Sequence, residues 1–298
     1  MKDLVGLVYN SKLTDARDLV DALVDALGLR DRCWISSTAT IDEQADKLGD
    51  TSLALVVGGD GSILRTVRVI TPHAIPIVGI NMGRVGFMTE LRVDEAVEKL
   101  PMYLNGDTLV DERMMLTASV VSAEGDVPRT TIHALNEIVV GRGSVGRLQD
   151  VTAAVDGAWL TSYRADAVIV ATPTGSTGYA LSAGGPIMYP STQVILIQPV
   201  AVHTGLRDGL ILHGDSVVEL VPSDSEQAIL VVDGFEDVDL VEGDRVCIER
   251  SSHVTRFLRA RPSSSFYATI TQRLGVVHRS EQVKSQMSSE ATWSQSEH

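Results

Sequence analysis

Residues 53–62, LALVVGGDGS, join an uninterrupted apolar run to a glycine-rich turn, and a helix is predicted directly after it over residues 63–70. Such an apolar run is typical of a strand buried on both faces of a parallel sheet. Glycines let the backbone approach a ligand closely, and the first N–H groups of a helix bind anions such as phosphates. No lysine follows, so the turn is not a Walker loop. Asp60 would repel a phosphate, which favours its contact with a hydroxyl group or a metal-bound water.

The same alternation of strands and helices extends outward from this turn. Residues 4–9 and 77–80 are predicted strands, and residues 14–27 and 94–104 carry apolar side chains at helical spacing. Strand–helix–strand units of this kind favour a parallel sheet that is covered by helices. We therefore predict an N-terminal α/β domain with a parallel sheet over residues 1–112.

The residue pattern changes after about residue 111, from alternating strands and helices to short strand-like segments. Short segments rich in Val, Ile and Thr follow one another at 115–123, 132–140, 151–155, 167–171, 194–198, 216–221, 228–232 and 245–249. Turn signals such as Asp156-Gly157 and Asp233-Gly234 separate many of them, which favours an antiparallel sandwich. An all-β, sandwich-like C-terminal domain is predicted over 113–258, giving α+β overall. The acidic stretch 236–244 is predicted to be a solvated turn region.

The end of the chain is predicted to differ from both domains. Residues 259–279 are expected to pack back on the N-terminal domain, with a helix over residues 266–274. Residues 280–298 are rich in Ser, Gln and Glu, and a disordered tail is expected there.

Three further segments offer polar groups to a ligand. Residues 81–87, NMGRVGF, follow a predicted strand and should lie at the same carboxyl edge of the sheet as the first glycine turn. In Asn136-Glu137 the amide suits an adenine edge and the carboxylate suits ribose hydroxyls, although such a pair is common on any protein surface. Residues 165–186, ADAVIVATPTGSTGYALSAGGP, end a strand in a loop of glycines and hydroxyl residues around Tyr179 that is too long for a simple hairpin.

Composition narrows the class of partner. The net charge of −14 argues against a basic face for nucleic acid, while a local basic pocket for a small phosphorylated ligand stays possible. No apolar run approaches the ~20 residues that span a bilayer, and no membrane partner is expected. The N-terminus does not resemble a signal peptide, and two isolated cysteines, Cys33 and Cys247, fit buried thiols in a reducing compartment. A cytoplasmic location is expected.

The motifs GGDGS, NMGRVGF, NE and TPTGSTGYALSAGGP, in this order over residues 50 to 275, resemble the NAD kinase family. GGDG alone also occurs in diacylglycerol, sphingosine and phosphofructo-kinases, whereas the TPTGST loop with the NE pair is more specific. The resemblance implies phosphorylation of the 2′-hydroxyl of the adenosine ribose of NAD, with ATP or polyphosphate as donor and Mg²⁺ or another divalent metal. It also implies a site between two domains and assembly as a homodimer or homotetramer.

The resemblance also implies roles for individual residues. Asp60 matches the catalytic Asp, and no protein residue is assigned as a metal ligand. The residues expected to bind nucleotide are Gly58, Gly59, Gly61, Ser62, Arg65, Asn81, Phe87, Asn136, Glu137, Arg147, Asp166, Thr174, Thr177, Tyr179 and Ser182.

The chain departs from the family's pattern at a few positions. Ser62 replaces the commoner Thr and keeps the hydroxyl, and Gly178 stands for Ala, a change expected to matter little. Phe235 stands where the family commonly has Gln, so an amide is lost near the expected ligand. His203 lies in an altered segment of the family's PHxLxxRP pattern.

Two other functions compete with this interpretation. A lipid kinase shares GGDG and a β-sandwich, and a non-catalytic NAD(P) sensor would fit the altered positions. The sequence leaves open the phosphoryl donor, the preference for NAD or NADH, the oligomeric state and feedback regulation.

Overall fold

The computed structural model describes residues 3–83, 86–122, 125, 127–143, 148–223 and 228–260, with residues 266, 267, 270 and 274. The first strands are β1 (Leu4–Tyr9), β2 (Cys33–Ser37), β3 (Thr51–Val57), β4 (Ile77–Asn81) and β5 (Leu91–Arg92). The helices are α1 (Ala16–Ala26), α2 (Ala45–Leu48), α3 (Asp60–Ile70), α4 (Val93–Leu104) and α5 (Tyr179–Ser182). Short 3₁₀ turns lie at Arg30–Arg32, Ile41–Gln44, Thr71–His73 and Gly175–Thr177.

The later part of the chain is built almost entirely from strands. They are β6 (Leu109–Val121), β7 (Pro128–Ala134), β8 (Glu137–Arg142), β9 (Gln149–Val155), β10 (Ala158–Ala165), β11 (Ala167–Ala171), β12 (Val194–Val200), β13 (Leu210–His213), β14 (Val218–Pro222), β15 (Ala228–Val232), β16 (Phe235–Leu240) and β17 (Arg245–Arg259).

The N-terminal part is a parallel sheet with helices on both faces, as the sequence predicts. Strands β2, β1, β3 and β4 lie side by side and run parallel. One face packs Leu7 and Leu55 against Leu23 of α1, and the other packs Val56 against Ile63 of α3. Because β3 is covered on both faces, its run of apolar residues is uninterrupted.

The C-terminal part is a β-sandwich. One layer has the strand order β13-β12-β11-β8-β15-β16, and neighbouring strands in it run antiparallel. Its inner face, with Ile138 and Val168, packs on Leu116 and Leu220 of the opposing layer. The two predicted Asp-Gly turns are present, and Asp156 and Asp233 both have a φ of 51°. Residues in this left-handed conformation match the twist of a two-residue hairpin.

Two long strands connect the two parts. Strands β6 and β17 pair antiparallel along most of their lengths, and β17 also pairs with β14 in the sandwich and with β4 in the parallel sheet. The pairing with β4 is made at Phe257, opposite Ile77. Among the described residues, eleven strands therefore form one sheet through both parts. Strand β6 continues through residue 112, so no break in secondary structure marks the domain boundary expected there. That the two parts fold as separate domains stays a prediction.

Several sequence-based expectations are wrong in detail. The segment 132–140 is interrupted at Leu135–Asn136, where the chain turns from β7 into β8. In the acidic stretch 236–244, residues 236–240 belong to β16, which pairs with β15 and contributes a buried Leu240 to the sandwich, and only residues 241–244 form the predicted turn. Strands β2, β5, β10 and β13 were not expected. Cys33 and Cys247 are half-buried rather than buried.

The described residues near the C-terminus are helical at 266, 267 and 270, as predicted. The rings of Phe266 and Tyr267 contact Tyr189, with centroids 5.6 and 5.3 Å away. Tyr189 lies between α5 and β12, so these contacts are to the sandwich part, and packing on the N-terminal part stays a prediction. The expected tail, 280–298, lies outside the described residues. No helix in the described part of the chain is both long and apolar enough to span a membrane.

Candidate active site

The glycine turn after β3 leads directly into α3, which begins at Asp60. A Cβ atom on Gly58 would lie only 2.3 Å from the Ser62 hydroxyl oxygen, so the turn closes tightly on the helix. A Cβ on Gly61 would meet nothing within 4 Å, so this side of the helix start is open. Because the first N–H groups of a helix lack partners within it, the start of α3 can receive an anion.

The Asp60 carboxylate joins this turn to the loop after β4. Its Oδ2 accepts a hydrogen bond from the Phe87 N–H at 2.8 Å, and its Oδ1 accepts one from the Met88 N–H at 3.0 Å. A Cβ on Gly86 would lie 2.2 Å from Asp60 Oδ1, so the loop needs glycine to come this close. The contact confirms that the two loops lie at one edge of the sheet. Asp60 thus has a fixed carboxylate, and each oxygen keeps a further lone pair for a ligand.

Asn81 shapes the second loop from within. Its amide nitrogen donates to the Gly83 carbonyl at 3.0 Å, and its amide oxygen accepts from the Gly83 N–H at 3.1 Å. The buried side chain therefore holds the loop rather than facing open space. Residues 84 and 85, which follow, lie outside the described residues.

A buried carboxylate that the sequence analysis did not single out, Asp233, holds the Asn136-Glu137 turn. It accepts hydrogen bonds from the backbone N–H groups of Leu135 at 2.8 Å, Asn136 at 2.7 Å and Glu137 at 3.0 Å. In return, the Asp233 N–H donates to the Glu137 carbonyl at 3.0 Å. The signal that could have found it is the Asp-Gly pair, which was interpreted only as a turn.

The side chains of this turn contain two polar atoms with no partner. Asn136 Oδ1 and Glu137 Oε2 are buried and accept no hydrogen bond from any described residue. A Cβ on Gly178 would lie 2.8 Å from Glu137 Oε2 and 3.4 Å from the Asn136 amide nitrogen, so both side chains face the Gly178 backbone. Buried acceptors without partners cost free energy, so they mark where a donating ligand would gain most.

Burial also shapes the electrostatics of this turn. Burial, with a smaller contribution from the charge of Asp233, raises the pKa of Glu137 to about 8, although the Tyr179 backbone N–H opposes the shift. Burial raises the pKa of Asp233 to about 6, while its backbone hydrogen bonds and the charge of Arg68 lower it. The two carboxyls therefore share less than two full charges near neutral pH in the empty protein.

The loop after β11 folds mostly on itself. The hydroxyl of Thr172 donates to the Leu135 carbonyl at 2.6 Å, that of Ser176 to the Pro173 carbonyl at 2.6 Å and that of Thr177 to the Thr174 carbonyl at 3.1 Å. A Cβ on Gly175 would lie 2.1 Å from the Asn136 carbonyl oxygen. These hydroxyls build the loop against the Asn136-Glu137 turn, so fewer remain for a ligand than the sequence suggested.

The loop still presents groups to solvent. The Tyr179 side chain is 43% exposed, which leaves a ring face available for stacking. Ser182 is also exposed at the end of α5. Thr174 is buried, and its hydroxyl accepts a hydrogen bond from Arg113 Nη1 at 3.3 Å.

Phe235 connects α3 to the second half of the site. The guanidinium carbon of Arg65 lies 4.5 Å from the centre of its ring, and that of Arg68 lies at 5.6 Å. Such cation–π contacts stabilise by about 0.5–1 kcal/mol when exposed. Phe235 follows directly on the Asp233-Gly234 turn, so α3, which begins with Asp60, lies beside the hairpin that holds Asn136 and Glu137.

The structure thus brings most of the expected site residues to one region but not all. Asp166 precedes β11 and pairs with Arg142 at 3.0 Å, whereas Thr172 and the glycine-rich loop follow the opposite end of the same strand. Five strand residues span roughly 17 Å, so Asp166 lies away from Tyr179 within one chain. Arg147 lies outside the described residues, and His203 is exposed. Among the described residues, no group of three or more His, Cys, Asp or Glu could hold a metal ion.

Comparison with family models matches both parts of the chain. Residues 13–108 match the ATP-NAD kinase N-terminal domain, and residues 135–260 match the ATP-NAD kinase C-terminal domain. The chain is 38% identical over 279 residues to the NAD kinase of Chloroflexus aggregans, covering 92% of this chain and 99% of that one. It is 37% identical over 273 residues to the NAD kinase of Dehalococcoides mccartyi, covering 91% and 95%.

Two solved structures share the fold. A crystal structure of yeast NADH kinase complexed with NADH has a TM-score of 0.83 at 22% identity and covers 93% of this chain and 89% of that one. A crystal structure of an NAD kinase from Archaeoglobus fulgidus in complex with ATP has a TM-score of 0.72 at 27% identity and covers 92% and 99%. The expected combination of an α/β part and a β-sandwich is thereby confirmed.

Proposed function

This chain belongs to the NAD kinase family, and we propose that it transfers a phosphoryl group to the 2′-hydroxyl of the adenosine ribose of NAD to give NADP. One observation carries the assignment of the site. Two buried acceptors, on Asn136 and Glu137, have no partner among the described residues and lie in the same region as a helix start that can receive phosphates. A dinucleotide supplies hydroxyl and amino donors for the first feature, and the donor's phosphates supply anions for the second.

In the proposed mechanism, the chain positions the reactants. Phosphoryl transfer needs alignment and neutralisation of charge more than covalent chemistry from the protein. The open start of α3, from Gly58 to Ser62, would hold the donor phosphates. Asn136, Glu137 and the ring of Tyr179 would hold NAD, with Thr174, Thr177 and Ser182 lining the site.

Asp60 would act on the attacking hydroxyl. Its carboxylate is fixed by the Phe87 and Met88 N–H groups, so it is aimed before the substrate arrives. As the new P–O bond forms, the bond from the transferred phosphorus to the rest of the donor breaks and ADP (or a shortened polyphosphate) leaves. The ribose hydroxyl loses its proton in the same step, and a carboxylate within hydrogen-bond reach can orient the hydroxyl and accept that proton.

Mg²⁺ or another divalent cation belongs to the same proposal, because it neutralises the donor phosphates. Mg²⁺ is commonly held by one or two carboxylates together with the phosphates of its substrate. Asp60, the carboxylate of the glycine turn, would contact a water bound to the metal, and the donor's own oxygens would supply most of the ligands. The protein would not need a metal cage of its own.

The proposal also covers the partners and the location of the protein. Its ligands would be ATP (or polyphosphate) and NAD, and we propose no binding to nucleic acid or to a membrane. A cytoplasmic homodimer or homotetramer is the expected form.

The test is NADP formation from NAD, ATP and Mg²⁺, read through an NADP-specific dehydrogenase, with Asp60→Asn alongside. Turnover should fall by at least 100-fold in the variant while NAD still binds, because one oxygen that orients the hydroxyl becomes an NH₂ group (roughly the range for general-base loss). Asp94→Asn, an exposed carboxylate at the start of α4, is the matched control.

Near-normal turnover in Asp60→Asn would remove that residue's role. If the wild type forms no NADP with ATP, the assay is repeated with polyphosphate as the donor. If that donor also fails while NAD binds, an NAD(P) sensor is the better interpretation.

A further inference from the structure

Four charged side chains lie where the parallel sheet meets the sandwich, two of them buried and two mostly buried. We call Glu90, Asp111, Arg113 and Arg259 the joint cluster. Their side chains are 15%, 12%, 8% and 11% exposed, respectively. Buried charges are costly to keep unless they are paired, and exchanging such pairs for apolar residues is often neutral or stabilising. Stability alone therefore does not account for the cluster.

Asp111 lies at its centre. Its Oδ1 accepts from Arg113 Nε at 2.8 Å, and its Oδ2 accepts from Arg113 Nη2 at 2.6 Å and from Arg259 Nε at 3.3 Å. Both guanidinium carbons lie over the ring of Phe257, at 5.6 Å for Arg113 and 4.9 Å for Arg259. One carboxylate and one ring therefore fix the positions of two arginines on neighbouring strands.

Arg259 extends from the cluster to the phosphate side of the site. Its Nη1 donates to the Met88 carbonyl at 3.0 Å and to Glu90 Oε2 at 3.1 Å. The N–H of the same Met88 donates to Asp60. The position of Arg259 is thus linked to the Asp60 carboxylate through a single residue.

Arg113 extends to the dinucleotide side. Its Nη1 donates to the hydroxyl of Thr174 at 3.3 Å, in the loop that packs on the Asn136-Glu137 turn. A continuous chain of contacts therefore runs from Asp60 through Met88, Arg259, Asp111 and Arg113 to Thr174.

We infer that Asp111 is a positioning residue for phosphoryl transfer, because it sets the spacing between the loop that fixes Asp60 and the loop that contains Thr174. The inference rests on the proposed function, in which the donor and NAD occupy these two loops. An in-line reaction is sensitive to small changes in spacing, and a displacement of about 1 Å can cost roughly 100-fold in rate.

The state of Asp111 suits this task. Burial would raise its pKa, but the hydrogen bonds and charges of Arg113 and Arg259 outweigh burial and hold the pKa below its usual range. The carboxylate therefore stays ionised, and both arginines stay anchored, across the pH range in which a kinase would be assayed.

The first test compares Asp111→Asn with Glu112→Gln. The amide of the variant presents donors to one of the arginines, so kcat per NAD-binding site should fall at least tenfold. The KM values for NAD and for the donor should stay within threefold, because each loop keeps its internal hydrogen bonds. Glu112 is the matched control: it pairs with Arg256 across the same two strands but is 56% exposed, and kcat should change less than twofold.

The second test is a double-mutant cycle with Thr174→Val, which removes the acceptor for Arg113. If Asp111 acts through Arg113, Thr174→Val lowers kcat in the wild type and has little further effect in Asp111→Asn. Additive losses in kcat would overturn the inference, as would a kcat in Asp111→Asn equal to that of the control.

Circular dichroism checks that Asp111→Asn is folded. If it is not, Arg113→Lys takes its place, since lysine keeps the charge beside Asp111 but lacks the fork that also reaches Thr174. The same tenfold loss in kcat is expected, and an unchanged kcat contradicts the inference. Absence of NADP formation by the wild type with every donor would refute the proposed function instead.

Discussion

The two halves of the candidate site differ in how their polar atoms are satisfied. On the side proposed to hold the donor phosphates, both oxygens of Asp60 accept hydrogen bonds from the chain's own backbone at Phe87 and Met88. On the side proposed to hold the dinucleotide, Asn136 Oδ1 and Glu137 Oε2 are buried without a partner among the described residues. The first half is complete before any ligand arrives, whereas the second is left for a ligand to complete.

This difference separates two sources of function. A carboxylate that is already fixed contributes to rate, because it needs no reorganisation in the transition state. Buried acceptors without partners contribute to selectivity, because a ligand that cannot donate hydrogen bonds to them leaves them unpaired and therefore binds more weakly. The comparison depends on the backbone that holds the second half, and the following substitutions test it from the largest expected effect to the smallest.

The largest effect is expected from Asp233→Ala, which removes the acceptor of three backbone N–H groups. Buried donors without partners cost about 1–3 kcal/mol each, so the free energy of unfolding should fall by about 3–5 kcal/mol. NAD binding should weaken with it. Urea unfolding monitored by circular dichroism measures the first effect, and titration with NAD measures the second.

Asp156→Ala is the matched control for that substitution. Asp156 also precedes a glycine in a hairpin with a φ of 51°, but it is exposed and accepts one backbone hydrogen bond, from the Val217 N–H. Its loss should cost about 1 kcal/mol or less. Equal losses for the two variants would show that the turn conformation, and not the buried hydrogen bonds, matters at Asp233.

Substitution of alanine for Gly175 or for Gly178 should show whether crowding against backbone costs more stability than crowding against a side chain. A Cβ on Gly175 would lie 2.1 Å from the backbone oxygen of Asn136, so Gly175→Ala should displace the turn and cost about 2–3 kcal/mol. A Cβ on Gly178 would lie 2.8 Å from the tip of the Glu137 side chain, which can move aside, and 3.2 Å from the Gly175 carbonyl oxygen, which would have to give only slightly. Gly178→Ala should therefore cost about 1 kcal/mol or less and change NAD affinity by a few-fold.

Thermal unfolding and NAD titration of both variants test this pair. A Gly178→Ala protein that is destabilised as strongly as Gly175→Ala would mean that the Glu137 carboxylate is held as rigidly as backbone.

The Glu137 carboxyl should make the free energy of unfolding fall and the affinity for NAD rise as pH increases. The pKa of Glu137 is raised from 4.5 to about 8, so between these values the folded protein binds more protons than the unfolded chain. The free energy of unfolding therefore contains a contribution that falls as pH rises through this window. Glu137→Gln removes it, so the variant should gain about 1–3 kcal/mol relative to wild type between pH 5 and pH 8.

NAD affinity should show the opposite trend. The ionised carboxylate is the better acceptor for ribose hydroxyls, so wild-type affinity should rise by several-fold from pH 7 to pH 9. Titrations of Glu137→Gln should lose this rise. A wild-type affinity that does not change over this range would show that Glu137 is already ionised in the empty protein.

The smallest effect is expected at Phe235. Phe235→Gln introduces the residue that the family resemblance implies at this position and removes the ring that contacts Arg65 and Arg68. The loss in stability should be about 0.5–1 kcal/mol, with a change in the KM for NAD of a few-fold at most. Steady-state kinetics alongside Phe266→Gln, whose ring contacts Tyr189 instead, would show whether the effect is specific to the site.

Much of the fold could be predicted because burial leaves a regular pattern. The uninterrupted run at 53–57 and the helical spacing at Val20 and Leu23 each indicate an element that contributes to a core. Strands β10 and β13 were missed because they lie at sheet edges, where half of the side chains meet water and apolar runs are short. Residues 236–240 were misinterpreted as a turn because the acidic residues among them hide the alternation of a strand.

The candidate site was predicted unevenly for a similar reason. Asp60, Asn136 and Glu137 lie in short motifs whose residue types point to their chemistry. Asp233 and Asp111 act on backbone or on other side chains, and the Asp233-Gly234 pair by itself indicates only a turn. Their partners are 96 to 98 residues away for Asp233, and 148 residues away for the contact of Asp111 with Arg259.

The sequence by itself determined the two kinds of architecture and the glycine turns, and it proposed candidate residues for a nucleotide site, because periodicity and local chemistry are properties of neighbours along the chain. Only the tertiary structure decided which polar atoms are satisfied and which are left open. It also decided that β6 and β17 carry one sheet through both parts and that Asp111 lies between the two halves of the site. Burial and hydrogen bonding depend on segments far apart in the chain, and only packing brings those segments together.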